Sequence, residues 1–197
     1  MPALWAQQSA TCDNLATGPV ETEDPSSLTV AAGENWECTF TNKQLELCSA
    51  VCYADADNGS DADDGKTLAT AFKTIQKAID TVAVNGEVRV LPGSYDETAA
   101  NRTVLDSTPL ENGPHQFGLF IAKNGVTIQG YNDAGTVAIT DPTATLAFIK
   151  TNATNNFGAS GIFVEGDDVT IAGLEIGPNT PGENKTIEII GDGFTLK

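Results

Sequence analysis

The sequence predicts an all-β chain, a parallel β-solenoid of about four coils with one capping α-helix at its N-terminal end. Three observations carry this expectation: an internal repeat, strand-like alternation inside each copy, and the spacing between copies. The copies read GLFIAKNGVTIQG from 118 to 130, GIFVEGDDVTIAG from 161 to 173, and TIEIIGDGFTLK from 186 to 197. Aligned without gaps, they place Leu119, Ile162 and Ile187 in one column and Ile121, Val164 and Ile189 in the next. Val126, Val169 and Phe194 follow, then Ile128, Ile171 and Leu196. Asn124, Asp167 and Asp192 share the polar position between the apolar pairs.

Within a copy, Leu119 and Ile121 alternate with Phe120, and Val126 and Ile128 alternate with Thr127, as in strands with one buried face. The Asn/Asp/Gly step between the runs is turn chemistry. It is too short to return a strand in parallel, so it marks a bend between two differently directed strands. Val169 to Phe194 is 25 residues and Val126 to Val169 is 43. One solenoid coil takes roughly 20–30 residues. The shorter interval is therefore one coil, and the longer is two coils or one coil with a long loop. A β-sandwich with similar strands is the alternative architecture.

Residues 1–47 read as a separate piece, a β-strand segment or the tail of a small β-sandwich. Strands are expected at Ser27–Val30 and Trp36–Thr41, joined across Ala-Gly-Glu-Asn, with too few apolar residues for an independent core. All four cysteines, Cys12, Cys38, Cys48 and Cys52, fall in the first 52 residues. An even count confined to one segment points to disulfides in an exported protein, with Cys12–Cys38 and Cys48–Cys52 the preferred pairing. A zinc site is the rival, but the segment has no CxxC, and the single histidine, His115, lies far along the chain. Residues 48–197 form the solenoid. Phe72, Ile75, Ile79 and Val82 recur at helical spacing and predict an amphipathic helix over about 70–83, with Thr70 as N-cap and Asn85-Gly86 as the stop. GEVRVLPGSYDE, 86–97, is an earlier and looser copy of the strand phrase. Segments 99–116 and 131–160, rich in Asn, Thr, Asp and Gly, read as loops between coils, where binding surfaces often form.

Tyr53, Gly59-Ser60-Asp61, Asp64-Gly65, Ala71 to Gln76, Ala78-Ile79-Asp80, Val88, Val90, Pro92-Gly93 and Tyr95 form a phrase that resembles the start of right-handed parallel β-helix proteins of the pectate-lyase-like superfamily. The resemblance spans Tyr53 to Lys197 and implies a right-handed parallel β-helix, of which this chain is the N-terminal part. A helix laid across the first coil would cover its apolar end and unpaired strand groups. None of that family's catalytic residues carries over, since they lie on later coils. Cys38-Thr39-Phe40-Thr41-Asn42 resembles the closing strand of β-sandwich repeats in bacterial surface proteins.

Acidic residues number 27 against 10 basic, a net charge of −17. Phosphate backbones and anionic bilayer surfaces are repelled, so nucleic acid is excluded as a partner. No apolar run is long enough for membrane insertion. The start, MPALWAQQSA, is not an intact signal peptide.

Asp55, Asp57, Asp61 and Asp63, with Asp64, crowd one loop and suggest calcium, a hard cation that takes several oxygens. The run departs from the EF-hand pattern, with Ser60 where glycine is required and Lys66 where glutamate is required. A solvated loop in which Asp and Gly make turns before the helix is the preferred reading. Lyase chemistry would draw on Glu165, Asp167 and Asp168 with Arg89, Arg102, Lys123 or Lys185 as base, but the repeat itself explains Asp167-Asp168 as a turn. Glu175 and Glu188 are candidates for paired-carboxylate hydrolysis and face solvent if Ile171 and Ile189 face in. Tyr131, Phe117 and Phe157 either stack on sugar rings or plug the solenoid. His115, beside Pro114, reads as a surface residue. No catalytic residue is assigned.

The expectation is an extracellular or cell-surface module, structural, adhesive or polysaccharide-contacting, with no complete active site in this chain. Two alternatives are the N-terminal part of a polysaccharide lyase or glycoside hydrolase, and a subunit of an extracellular filament. The latter would self-associate through the open coil edge at Phe194–Lys197.

Overall fold

Alternating apolar and polar residues produce strands in nearly every segment of the chain where they occur. A computed structural model describes residues 5–15, 22–23, 29–44, 46–97, 117–141, 143–144, 146–151, 160–177 and 185–197, in two units, Met1–Glu46 and Leu47–Lys197. In the first unit, β1 (Trp5–Asn14), β2 (Thr22–Glu23) and β3 (Trp36–Gln44) form an antiparallel sheet in the order β2-β1-β3. Cys12 lies directly opposite Cys38, and a disulfide joins them. The strand expected at Ser27–Val30 does not pair with β3. Thr29 and Val30 lie outside any strand, Ser27 and Leu28 lie outside the described residues, and β3 pairs with β1 instead. Ahead of β3, Glu34 closes a local turn by accepting hydrogen bonds from Ala31 N (2.8 Å) and Trp36 Nε1 (3.1 Å).

The second unit runs β4 (Val51–Ala54), a 3-10 turn (Leu68–Thr70), α1 (Ile75–Thr81), β5 (Glu87–Val90), β6 (Gly93–Glu97), β7 (Phe117–Ile121) and β8 (Thr127–Gly130). It continues through β9 (Ala147–Thr151), β10 (Ser160–Val164), β11 (Thr170–Ala172), β12 (Leu174–Ile176), β13 (Lys185–Ile189) and β14 (Thr195–Leu196). These strands make three sheets in which every pairing is parallel: β4-β5-β8-β11-β14, β6-β9-β12 and β7-β10-β13. From β5 onward the chain visits the first, second and third sheets in that fixed order, over and over. Among the described residues no barrel closes.

Register places like residues over like. Leu119, Ile162 and Ile187 are successive partners, as are Ile121, Val164 and Ile189. Cys52, Val88, Ile128, Ile171 and Leu196 form the matching column of the first sheet. Tyr95, Ile149 and Ile176 supply that of the second. The inward residues of all three sheets merge into one apolar core, with Ile162, Ile128 and Ile149 fully buried, whereas Ile189 and Leu196 on the last strands are exposed. The disulfide Cys48–Cys52 belongs to that core.

The structure decides one alternative the sequence leaves open, and two details differ from the sequence reading. Strand β8 pairs directly with β11, so the 43-residue interval is a single circuit with a long loop. Segment 131–160 is not all loop. It contains β9, whose Ala147 and Ile149 are buried, and β12 follows the second copy of the repeat directly. The helix is shorter than expected: Thr74 is its N-cap, accepting from Lys77 N, and Val82 its C-cap. Phe72 precedes it and instead bridges to Ala54 beside β4, where it covers that edge of the first sheet.

Candidate functional site

The acidic loop forms turns and caps. Asp55 accepts from Asp57 N (2.9 Å), Asn58 N (3.0 Å) and Asn58 Nδ2 (3.2 Å). Asp61 accepts from Lys73 N, Thr74 N and Thr74 Oγ1, fixing the approach to α1. Asp57 is exposed and Asp63 half-buried. Among the described residues no three His, Cys, Asp or Glu side chains are grouped to hold a metal ion. The four aspartates that suggest calcium are not brought together as a ligand set.

Helix α1 is tied to the first circuit by three side chains that sequence reasoning does not single out for this role. Glu97, 2% exposed, accepts from Ile75 N (2.7 Å) and Gln76 N (3.4 Å) at the helix start. Burial pushes its carboxyl up to about 7, against the opposing pull of those two N–H groups. Gln76 spans from the helix to β7: its Oε1 accepts from Phe120 N (2.7 Å) and its Nε2 donates to Phe120 O (3.0 Å). The amide thus satisfies the edge strand as a neighbouring strand would. Lys123 Nζ donates to the carbonyls of Ile79 (3.1 Å), Asp80 (2.8 Å) and Val82 at the helix end. Burial holds its ammonium below the usual range, partly offset by Asp80. Lys123 is therefore occupied as a C-terminal cap.

The polar column of the repeat is a ladder. Asn85, Gly125, Asp168 and Gly193 occupy matching places ahead of β5, β8, β11 and β14, with φ of 60°, 69°, 54° and 72°. Asn85 N donates to Asn124 O (3.1 Å), Gly125 N to Asp167 O (2.7 Å) and Asp168 N to Asp192 O (2.8 Å). Side chains join in: Asp167 N donates to Asn124 Oδ1 (3.1 Å) and Asp192 N to Asp167 Oδ1 (3.0 Å). A column of left-handed residues needs Gly, Asn or Asp at each level. Glu165 is half-buried just after β10, next to this ladder in sequence.

Two outward surfaces remain. On the first sheet, Arg89 Nε meets Glu87 Oε2 at 2.9 Å, and Tyr131 Oη donates to Glu87 Oε1 at 2.6 Å. The Arg89 guanidinium lies 4.7 Å from the Tyr131 ring centre and 5.7 Å from that of Tyr53. Burial lowers the affinity of Arg89 for its proton, but the Glu87 carboxylate more than restores it, leaving Arg89 above its ordinary value. Arg89 cannot serve as a base in this setting. Arg89 Nη1 also reaches Gly135 O (3.4 Å), and Gln129 Nε2 reaches Ile139 O (3.1 Å), so residues 131–141 lie as a strap against the sheet's outer face. Beside the strap, a cleft of about 470 Å³ is lined by Gln129, Ile139, Asp141, Leu146, Ala172 and Leu174, among others. On the second sheet, Asp96, Lys150 and Glu175 are exposed, with Phe148 in register between Ser94 and Glu175.

Two of the aromatics expected to stack on sugars are not available. Tyr131 is 8% exposed and held by Arg89 and Glu87; Phe117 is 2% exposed and packs on Phe163, ring centres 4.7 Å apart. Both serve packing, the other role the sequence leaves open. Phe157, His115 and Arg102 lie outside the described residues, as does the Lys185 side chain. Glu188 is half-buried in β13, in register with Phe163. Phe148, the half-buried outward aromatic of the second sheet, escapes sequence reasoning because its segment reads as loop.

No protein-family model matches the chain, and comparison with curated protein sequences finds no match. A solved structure described as a rhamnogalacturonan lyase is similar at a TM-score of 0.46 and 19% identity, covering 64% of this chain. The match takes in 28% of that structure, so this chain spans well under two thirds of its length.

Proposed function

We propose that residues 47–197 are the N-terminal part of a right-handed parallel β-helix, acting as a rigid extracellular or cell-surface scaffold that contacts polysaccharide. The observation that carries this reading is the fixed circuit through three parallel sheets with like residues stacked at each level. It supports a solenoid whose first end is shut by α1. The candidate bases Lys123 and Arg89 and the candidate carboxylate Asp167 are engaged in capping, ion pairing and the turn ladder, which favours a scaffold over a catalyst in these residues. The two disulfides and the strongly acidic composition suit an exported protein. Among the described residues, no helix is long and apolar enough to cross a membrane.

The test is a glycan panel read in two ways, by binding and by turnover. Binding without release of reducing ends or of unsaturated uronides, followed by ultraviolet absorbance, is the expected result. Cleavage that depends on calcium would replace this reading with the lyase alternative. Absence of binding to every glycan, with ordered assembly of the chain at rising concentration, would favour the filament subunit.

A further inference from the structure

The cleft beside the strap has features of a ligand site that the packing of the first sheet does not require. Its floor is formed by Ala172, which pairs with Gln129 in the first sheet, and by Leu174 at the start of β12 in the second. Its wall is the strap, at Ile139, Thr140 and Asp141, continued by Leu146. The strap is held in place by backbone and side-chain bonds: Ile139 N donates to Gly130 O (2.8 Å), and Gln129 Nε2 donates to Ile139 O. The cleft is thus built before any ligand arrives. Its volume of about 470 Å³ falls in the range of roughly 300–1,000 Å³ typical of small-molecule sites, and its lining is mostly apolar with a few polar groups, as such sites require.

The polar groups define what fits. Asp141 Oδ1 accepts from Thr143 N and Oγ1, both 2.8 Å away, which orients the carboxylate and holds it below its ordinary range. Among the described residues, Asp141 Oδ2 and Gln129 Oε1 have no protein partner. Two spare acceptors above an apolar floor suit a ligand with hydroxyl donors on one side and C–H groups on the other. Asp141 and Lys197 are the charged residues that line the cleft, so it offers no excess positive charge. The whole chain carries −17, which further disfavours an anion.

We propose that this cleft binds a neutral pyranose segment of a polysaccharide, with the sugar's C–H face on Ala172 and Leu174 and its hydroxyls on Asp141 and Gln129. This deepens the scaffold reading and rests on its polysaccharide-contacting part. Neutrality sets the proposed ligand apart from the acidic sugars that a lyase of pectin-like chains would take.

The experiment titrates the whole chain with cellotetraose, mannotetraose and tetragalacturonate while following backbone amide shifts by NMR. The expected result is saturable shifts at Ile139, Ala172 and Gly173 with a neutral probe and not with tetragalacturonate. Thr140→Trp, at an exposed position in the cleft wall, narrows the cleft and is expected to weaken binding roughly tenfold or more, with an unchanged thermal midpoint showing that it still folds. Asp141→Asn provides a second, milder variant. Stronger binding of tetragalacturonate, or neutral-probe shifts that persist unchanged in Thr140→Trp, would overturn the inference. Binding confined to the amides of Asp96, Phe148, Lys150 and Glu175 would overturn it while leaving the polysaccharide-contacting scaffold standing. No response to any carbohydrate would remove both.

Discussion

Replacing Glu97 by glutamine isolates the energetics of the helix cap. Glu97 is 2% exposed, its carboxyl is raised from 4.5 to about 7, and the cause is burial. At ~1.4 kcal/mol for each pH step between those two values, the displacement corresponds to about 3 kcal/mol. The sign follows from which state holds the proton. Between 4.5 and about 7 the folded chain keeps the Glu97 proton and the unfolded chain releases it. The contribution is therefore fully present below 4.5, declines as pH rises through about 7, and is absent above. Glutamine keeps an oxygen for Ile75 N but does not titrate. The chain's many other carboxylates also make stability depend on pH, so the informative quantity is the wild-type unfolding free energy minus that of Glu97→Gln. Urea unfolding followed by circular dichroism, at several pH values from ~4 to ~8, gives that difference. It is expected to fall by about 3 kcal/mol across the range. A flat difference, or one that grows with pH, would refute the reasoning. It would mean that the N–H groups of Ile75 and Gln76 stabilise the carboxylate more than burial penalises it.

Other parts of the fold give shorter tests. Ile162→Ala opens a cavity between Leu119 and Ile187 at a fully buried position and is expected to cost about 2–5 kcal/mol in chemical unfolding, more than Ile187→Ala at its partly exposed level. Gln76→Ala removes the amide that bonds both backbone groups of Phe120; a loss of about 1–3 kcal/mol is expected, with faster hydrogen exchange at the Phe120 amide. Asp168→Gly relaxes a φ of +54° and is expected to raise the thermal midpoint, by up to about 1 kcal/mol equivalent, whereas Asp168→Val lowers it. Gly130→Ala drives a Cβ into the Gly173 carbonyl oxygen and is expected to leave little folded protein, measured as soluble yield and heat-induced unfolding.

The columns of the core are legible in the sequence because period-2 alternation survives wherever one face is buried. Leu119, Ile162 and Ile187 need only alignment to be placed together. The ladder is legible for a related reason: Asn124, Asp167 and Asp192 recur at a bend whose next residue takes positive φ. Strands β9 and β12 are not legible, since AFIKT and LEI belong to no repeated phrase, and LEI follows the second copy too closely to stand out. The helix is overextended in the sequence reading because Phe72 and Val82 fit a 3.6-residue stripe that they join only in space, one at a bridge to Ala54 and one at the C-cap. Burial of Tyr131 and Phe117 is also beyond reach. Nothing in their local sequence shows that Arg89 and Phe163 lie against them.

The same contrast explains where chemistry should be sought. Contacts that anchor α1 join residues 21 to 44 positions apart, namely Glu97 with Gln76, Gln76 with Phe120, and Lys123 with Ile79. Such pairs are specified by register, and register is invisible until the loop lengths are known. Once it is fixed, the conspicuous charged residues sort themselves. Asp61, Asp167 and Lys123 turn to backbone groups, and their charges serve the fold. Gln129 and Asp141, each with an acceptor oxygen unused among the described residues, look ordinary in the sequence. The positions repeated at every level of the three parallel sheets answer to the stacking, so the proposed ligand cleft falls at a level that breaks the pattern. The 43-residue circuit is that level, because among the described residues it carries the strap and the cleft beside it.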